Sequence, residues 1–268
     1  MREPFVNIAV QAARAAGNLI VRAKDRLDRV KVTEKAPNDY VTEVDQKAEQ
    51  EIVGIIRKAF PHHAIVGEEG GVQAGEEYEW VIDPLDGTRN FIHGFPHFAV
   101  SIAVRYQGRL EHGVVYDPVR EDLCTASRGR GAQLNERRIR VATQSALEAC
   151  LLGTGFPFRH SPDCVSAYTR SLASMLPQCG DVRRAGAAAL DLAYVAAGRL
   201  DGFWEMGLKI WDVAAGALLV REAGGLLTDF AGGEGYLDSG NVIAANPKIL
   251  KLMLKHLSPH LAGFERVE

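Results

Sequence analysis

At 268 residues, 47% of them hydrophobic and 24% charged, the chain is long enough for one large domain or two moderate ones around a well-filled core. A formal net charge of −3 supplies no drive toward nonspecific binding of nucleic acid or membrane, and no apolar run reaches the ~18 residues that a membrane-spanning helix needs. Cys124, Cys150, Cys164 and Cys179 are scattered without a C-x-x-C spacing, and the N-terminus lacks a basic segment followed by an apolar one, so buried free thiols in a cytoplasmic protein are expected.

Apolar positions at Val6, Val10, Ala13, Gly17 and Ile20 predict a first helix over 5–27 with a small-residue face. A second helix is expected over 45–59, with Ala48, Ile52, Ile55 and Ile56 inward and Pro61 as its stop. Residues 64–67 and 80–82 read as short strands, and 98–106, 113–116 and 123–126 as strands of an antiparallel sheet joined by Gly or Asp-Pro turns. Residues 129–135 read as another tight turn. Beyond residue 140 the pattern changes: an apolar run at 151–155, helices over 165–176 and 187–197, and a strand at 203–205. A helix opened by Asp212 and ended by Gly224-Gly225, strands at 226–229 and 242–245, and a helix over 247–257 complete a strand–helix–strand alternation. The pattern predicts an α+β half over 1–140 carrying most of the acids discussed next, and an α/β half over 141–268 carrying Asp212.

The segment Trp80-Val81-Ile82-Asp83-Pro84-Leu85-Asp86-Gly87-Thr88 carries the most chemistry. An apolar strand runs into two carboxylates that repel each other, a conflict that a hard divalent cation such as Mg²⁺ resolves by collecting carboxylate and carbonyl oxygens. Pro84 fixes its own φ and restricts Asp83, so the Leu85 carbonyl can turn toward the same ion. Gly87 and Thr88 offer backbone N–H groups at a helix start, which suits a phosphate, and Arg89-Asn90-Phe91 begins a helical turn or loop. A tight surface turn accounts for the same residues, since Asp-Pro and Asp-Gly are ordinary turn pairs. Other acids also have plain accounts: Glu68 in Gly67-Glu68-Glu69-Gly70-Gly71 as a solvated loop acid, Asp45 as the far member of a capping box begun by Thr42, and Asp212 as a helix cap.

Those accounts leave open why so many acids stand at strand-to-helix junctions, where open α/β folds place their sites. Together Asp39, Asp45, Glu68, Asp83, Asp86 and Asp212 suit a polynuclear Mg²⁺ site acting on a phosphate ester, where two ions polarise the phosphoryl group, ready a water and neutralise the leaving oxygen. Lys35 is placed to pair with site acids or phosphate, while His93 and His97 are assigned to packing. The chain has no G-x-x-x-x-G-K-[ST] loop and no G-x-S-x-G elbow, which disfavours an ATP cradle and a serine hydrolase.

These motifs resemble the inositol monophosphatase family, lithium-sensitive and magnesium-dependent phosphatases, over nearly the whole chain. Lys35-x-x-x-Asp39-Tyr40-Val41-Thr42-x-x-Asp45 is similar to the family's N-terminal motif, and Gly67-Glu68-Glu69 to its metal-binding glutamate loop. The segment from Trp80 to Thr88 matches the signature W-[VI]-[IL]-D-P-[IL]-D-G-T. Trp211-Asp212-x-Ala214-Ala215-Gly216 with Glu222-Ala223-Gly224-Gly225 resembles the C-terminal signature W-D-x-A-x-G…E-A-G-G. Residues 38–42, 95–101 and 190–199 are most similar to the bacterial SuhB branch.

The resemblance implies a layered αβαβα sandwich of the sugar-phosphatase type that uses two to three Mg²⁺ ions. It places Glu68, Asp83 and the Leu85 carbonyl around a first ion. Asp83 would bridge to a second, completed by Asp86 and Asp212, with a weaker third near Glu68. Thr88 with Asp45 would orient and deprotonate an attacking water, without a covalent phosphoenzyme. The Gly87 and Thr88 N–H groups would hold the phosphate beside Asp86 and Asp212, and Gly186, Ala187, Ala188 and Glu205 would meet the inositol hydroxyls. Lys35 and Asp39 would support the site.

The implied reaction is hydrolysis of a myo-inositol monophosphate. Fructose-1,6-bisphosphatase, 3′-phosphoadenosine nucleotide phosphatase and histidinol-phosphatase are sibling activities. The branch also implies a homodimer and a second role in ribosomal RNA transcription antitermination, through protein contacts with Nus factors or RNA polymerase. The chain departs from the family pattern at Arg89, where a second threonine is usual, and at Ala187, commonly serine or threonine. Lys35 and Asp39 also stand one residue closer than in animal members. Arg89 is expected to point outward, because the next helical position turns about 100° away from Thr88.

Overall fold

The computed structural model describes residues 4–36, 39–157 and 161–263. The chain begins with α1 (Pro4–Lys24), a hairpin of β1 (Val32–Ala36) and β2 (Asp39–Thr42), and α2 (Glu43–Ala59). Next come β3 (His63–Gly67), β4 (Gly71–Gln73), β5 (Glu76–Asp86) and the short helix α3 (Thr88–Ile92). Strands β6 (Ala99–Tyr106), β7 (Arg109–Asp117), β8 (Asp122–Ser127), β9 (Gly131–Leu134) and β10 (Arg137–Arg138) complete an eight-stranded sheet in the order β10-β9-β8-β7-β6-β5-β3-β4. That sheet is antiparallel except where β3 runs parallel to β5.

The later elements are β11 (Leu151–Thr154), α4 (Pro162–Met175), β12 (Asp181–Arg183), α5 (Ala188–Ala196) and β13 (Gly202–Glu205). They are followed by α6 (Ile210–Glu222), β14 (Leu226–Thr228), α7 (Tyr236–Ser239), β15 (Val242–Ala245) and α8 (Pro247–Leu261). Their strands form a five-stranded sheet in the order β12-β11-β13-β15-β14. It is mixed: β12, β11 and β13 are parallel, whereas β15 inserts antiparallel between β13 and β14.

Strand alternation sorts the side chains into layers. On β5, Trp80 and Ile82 point to the face covered by α1 and α2, and Val81 points to the opposite face, covered by α5 and α6. In the second sheet Phe203, Val242 and Ala244 meet α5 and α6 from the other side, while Leu152, Trp204, Ile243 and Ala245 pack against α4 and α8. The result is a layered αβαβα sandwich whose central helices are buried between two sheets. The small-residue face of α1 allows close approach: a Cβ on Gly17 would lie 2.6 Å from the Tyr116 ring. No described helix is long and apolar enough to cross a membrane. All four cysteines are free; Cys124, Cys150 and Cys164 are buried and Cys179 is partly so.

β1, β2, β4, β10, β12 and α7 were not read from the sequence, and β5, β9 and α6 depart from their expected form. β5 starts earlier and continues through Pro84, which has no N–H to give the ladder, so its pairing with β6 is irregular between Asp83 and Asp86. Residues 131–134 form β9 rather than part of a turn; the turn geometry sits at Gly131 (φ 83°) and at Asn135 and Glu136 (φ 47° and 67°), leaving the residues between free to pair with β8. Asp212 does not cap α6. Lys209 occupies that position, and Asp212 reaches back from inside the helix to accept the Lys209 N–H at 2.7 Å.

Candidate metal centre

The end of β5 delivers Asp83 onto the same face as Val81, toward α6. Its Oδ1 accepts the Leu85 N–H at 2.9 Å, which closes the turn around Pro84. Ser101, paired with Asp83 across the sheet, donates its hydroxyl to the Trp211 carbonyl at 3.0 Å and so fixes the start of α6 beside Asp83. Asp86 approaches the start of α5. Ala187 there has no side-chain acceptor to cap the helix, and Asp86 Oδ2 takes the Ala189 N–H instead, at 2.7 Å. One oxygen each of Asp83, Asp86 and Asp212 then lies within 4.8 Å of the others.

Glu68 follows the end of β3, where Gly67 pairs with Ile82 and the Glu68 N–H donates to the Ile82 carbonyl at 3.2 Å. Burial, and next the charge of Asp212, push the Glu68 carboxyl up to about 8. Asp86 is likewise raised to about 8 by burial and then by Asp212, although the N–H groups of α5 partly offset this. Asp83 lies well above the usual carboxylate range, first from burial and then from Glu68, Asp86 and Asp212. Buried like charges of this kind are what a divalent cation relieves, and an all-oxygen donor set fits a hard ion such as Mg²⁺.

Asp45 is joined to this group through Thr88. It accepts the Thr42 N–H at 2.9 Å as the capping-box partner of α2, and its other oxygen accepts the Thr88 hydroxyl at 2.9 Å. Thr88 Oγ1 also lies 3.0 Å from the Leu85 carbonyl. Burial raises Asp45, with the hydrogen bonds from Thr42 and Thr88 acting against it. Asp45 therefore has both its structural account and a contact with the site.

Gly87 precedes α3 at φ 90°, a backbone conformation suited to glycine. Across from it stand Gly186, at φ 87°, and Ala187, whose Cβ would be 3.3 Å from a Cβ on Gly87. Ala188 opens α5, and Glu205 ends β13 against Gly155, whose missing side chain leaves room for the carboxylate. Arg89 is exposed, with its guanidinium 5.0 Å from the centre of the Tyr40 ring. Lys35 donates to Glu69, the neighbour of Glu68, at 2.5 Å. The side chain of Asp39 lies outside the described residues.

Two contributors escape sequence reading. Asn90 donates its amide to the carbonyls of His97 (2.8 Å) and Ala185 (2.9 Å), tying α3 to the chain before α5. Glu49 accepts two N–H groups from the turn that carries Glu68. The available signal for Glu49 was weak: a glutamate one turn after Asp45 on the inward face of α2.

A model of the inositol monophosphatase family matches residues 1–262. The chain belongs to the inositol monophosphatase family. Among its relatives, the Nus factor SuhB of Pseudomonas aeruginosa is 59% identical over 264 residues, covering 97% of each chain. The crystal structure of the extragenic suppressor protein SuhB from Bartonella henselae has a TM-score of 0.93 at 45% identity, covering 95% of this chain and 98% of that one. The IMPase of Thermotoga maritima has a TM-score of 0.87 at 36% identity, covering 96% and 98%. Inositol monophosphatase membership makes a phosphatase the relevant enzyme class and fits the acidic cluster at the β5, α5 and α6 junctions.

Proposed function

We propose that this protein is a Mg²⁺-dependent phosphomonoesterase of the cytoplasm that hydrolyses a myo-inositol monophosphate. The observation that carries the reading is the convergence of Asp83 and Asp86 from the end of β5 with Asp212 from the start of α6, one oxygen of each within 4.8 Å of the others. Glu68, Asp83 and the Leu85 carbonyl would hold one cation, and Asp83, Asp86 and Asp212 a second, with a third near Glu68. Bound Mg²⁺ supplies a polarised phosphoryl group, a more acidic water and charge neutralisation for the leaving oxygen.

The chain's own groups do the rest. Thr88 Oγ1, donating to Asp45 Oδ1 at 2.9 Å, can accept a hydrogen bond from the attacking water and pass its proton toward Asp45. Raised by burial, the Asp45 carboxyl is a better proton acceptor than a solvated aspartate. The N–H groups of Gly87 and Thr88 would orient the phosphate. Gly186, Ala187, Ala188 and Glu205 would line the alcohol side, where a carboxylate suits a polyol. Lys35 and Asp39 would support the N-terminal edge.

Kinetics on inositol-1-phosphate, fructose-1,6-bisphosphate, 3′-phosphoadenosine nucleotide and histidinol phosphate, each titrated with Mg²⁺, test the proposal. The highest kcat/KM is expected on the inositol ester. A preference for one of the other three would assign the sibling activity instead.

The name Nus factor on a relative at 59% identity favours a second reading, a protein-binding role in transcription antitermination. A formal charge of −3 points to protein contacts rather than independent RNA binding. Pull-down of Nus factors and RNA polymerase with wild type and Asp83→Asn tests this, because a binding role survives loss of catalysis.

A further inference from the structure

Glu49 projects from α2 but does not reach solvent: it is 5% exposed, and its carboxylate is engaged by backbone amides. Oε2 accepts the Glu69 N–H at 2.9 Å and Oε1 the Gly70 N–H at 2.6 Å, so each oxygen holds one amide of the turn after β3. The turn wraps the carboxylate closely. A Cβ on Gly67 or Gly70 would lie 2.5 Å from a Glu49 oxygen. From the side of β1, Lys35 holds the same turn through Glu69. The residue between Gly67 and the two clamped amides is Glu68, whose carboxyl is repelled by Asp212, Glu69 and Asp45. A short turn bearing a repelled carboxylate drifts outward unless its backbone is held.

We propose that Glu49 is a positioning residue for the metal centre: its carboxylate clamps the 67–70 turn and keeps Glu68 aimed at Asp83 and Asp212. The inference rests on the reading of Glu68 as a metal ligand. Side chains that orient a ligand in this way typically contribute about ten- to a hundredfold in metal affinity. The effect falls on cation binding, with kcat at saturating Mg²⁺ little changed.

The fold contains its own control. Glu222, at the end of α6, accepts the Gly129 and Gly131 N–H groups at 2.8 and 2.7 Å, but its turn carries no acid of the centre. Calorimetric titration of the full chain with MgCl₂ alone separates the cases, using Glu49→Gln, Gly70→Ala, Glu222→Gln and Glu68→Gln with metal-free melting temperatures beside them. Glutamine keeps the size of Glu49 but sets an N–H donor against an N–H donor. Gly70→Ala drives a methyl into Oε1 while leaving α2 and its charge intact, and it decides the question if Glu49→Gln does not fold. Weakening of Mg²⁺ binding by about tenfold or more in Glu49→Gln and Gly70→Ala, with less than about twofold in Glu222→Gln, is the expected result. Mg²⁺ affinity within about twofold of wild type in both of the first two, or an equal loss in Glu222→Gln, overturns the clamp. Unchanged affinity in Glu68→Gln overturns the ligand reading beneath it.

Discussion

Thr88 has one hydroxyl proton and two acceptors in reach, Asp45 Oδ1 at 2.9 Å and the Leu85 carbonyl at 3.0 Å. A cation on the Leu85 oxygen would leave Asp45 as the acceptor, freeing the Thr88 lone pairs for water. Thr88→Ala should then lower kcat by about 10²–10⁴-fold with little change in KM, as expected for lost general-base assistance. Steady-state kinetics decide it, and a change confined to KM would reduce Thr88 to a phosphate-orienting group. Asp83 makes the opposite kind of case. Asparagine retains an oxygen for the Leu85 N–H but removes a charge that Glu68, Asp86 and Asp212 repel. Asp83→Asn should abolish turnover and, above about pH 8 where Glu68 and Asp86 ionise, raise the metal-free melting temperature; a fall in that temperature there would mean that repulsion among the acids does not govern the stability of the metal-free site. Both side chains were legible in the sequence because Asp83-Pro84-Leu85-Asp86-Gly87-Thr88 is contiguous. Glu49 and Asn90 were not, because they act on backbone groups 20 and 95 residues away.

At the scale of elements, periodicity located α1, α2 and the buried strands, since burial imposes the period directly. Their limits were less legible. Polar Glu76 to Glu79 belong to β5 because the neighbouring strands offer partners there, which local pattern does not encode. Glu222 lies in a signature motif, yet its two hydrogen bonds tie α6 to the turn between β8 and β9. Asn90 plays the corresponding part for α3, joining it to the chain before α5 through the His97 and Ala185 carbonyls. Asn90→Ala leaves those carbonyls unmatched and should destabilise the protein by about 1–3 kcal/mol. Because the lost bond also frees Gly186, KM for the phosphate ester should rise more than kcat falls. Urea unfolding and kinetics check both halves, and wild-type stability would show these hydrogen bonds to be energetically idle.

In the whole molecule, α5 and α6 form a layer between the two sheets, and this is what brings Asp86 from the first sheet against α5 and sets Asp212 beside Asp83. The continuous apolar runs Trp80-Val81-Ile82 and Phe203-Trp204 fit strands buried on both faces, but they do not say which helices cover them or that β15 enters between β13 and β14. The cost of collecting acids in this layer gives a measurable pH dependence. Glu68 and Asp86, raised to about 8, retain protons in the folded chain that the unfolded chain releases near 4.5 and 3.8. Between those values and about 8 the folded state binds more protons, so this contribution is full at low pH and is lost as pH rises through the window. His97 acts the other way: burial lowers it from 6.5 to about 4, so its contribution is lost as pH falls through that range. The carboxylate effect is therefore clearest between 6.5 and about 8. In EDTA the melting temperature should fall across that interval, and it should level off above it. Mg²⁺ favours the ionised carboxylates, so the increase in melting temperature on adding it should grow over the same interval. A metal-free melting temperature that rises there, with a constant Mg²⁺ increment, would mean that these acids are already ionised and share no proton-linked site.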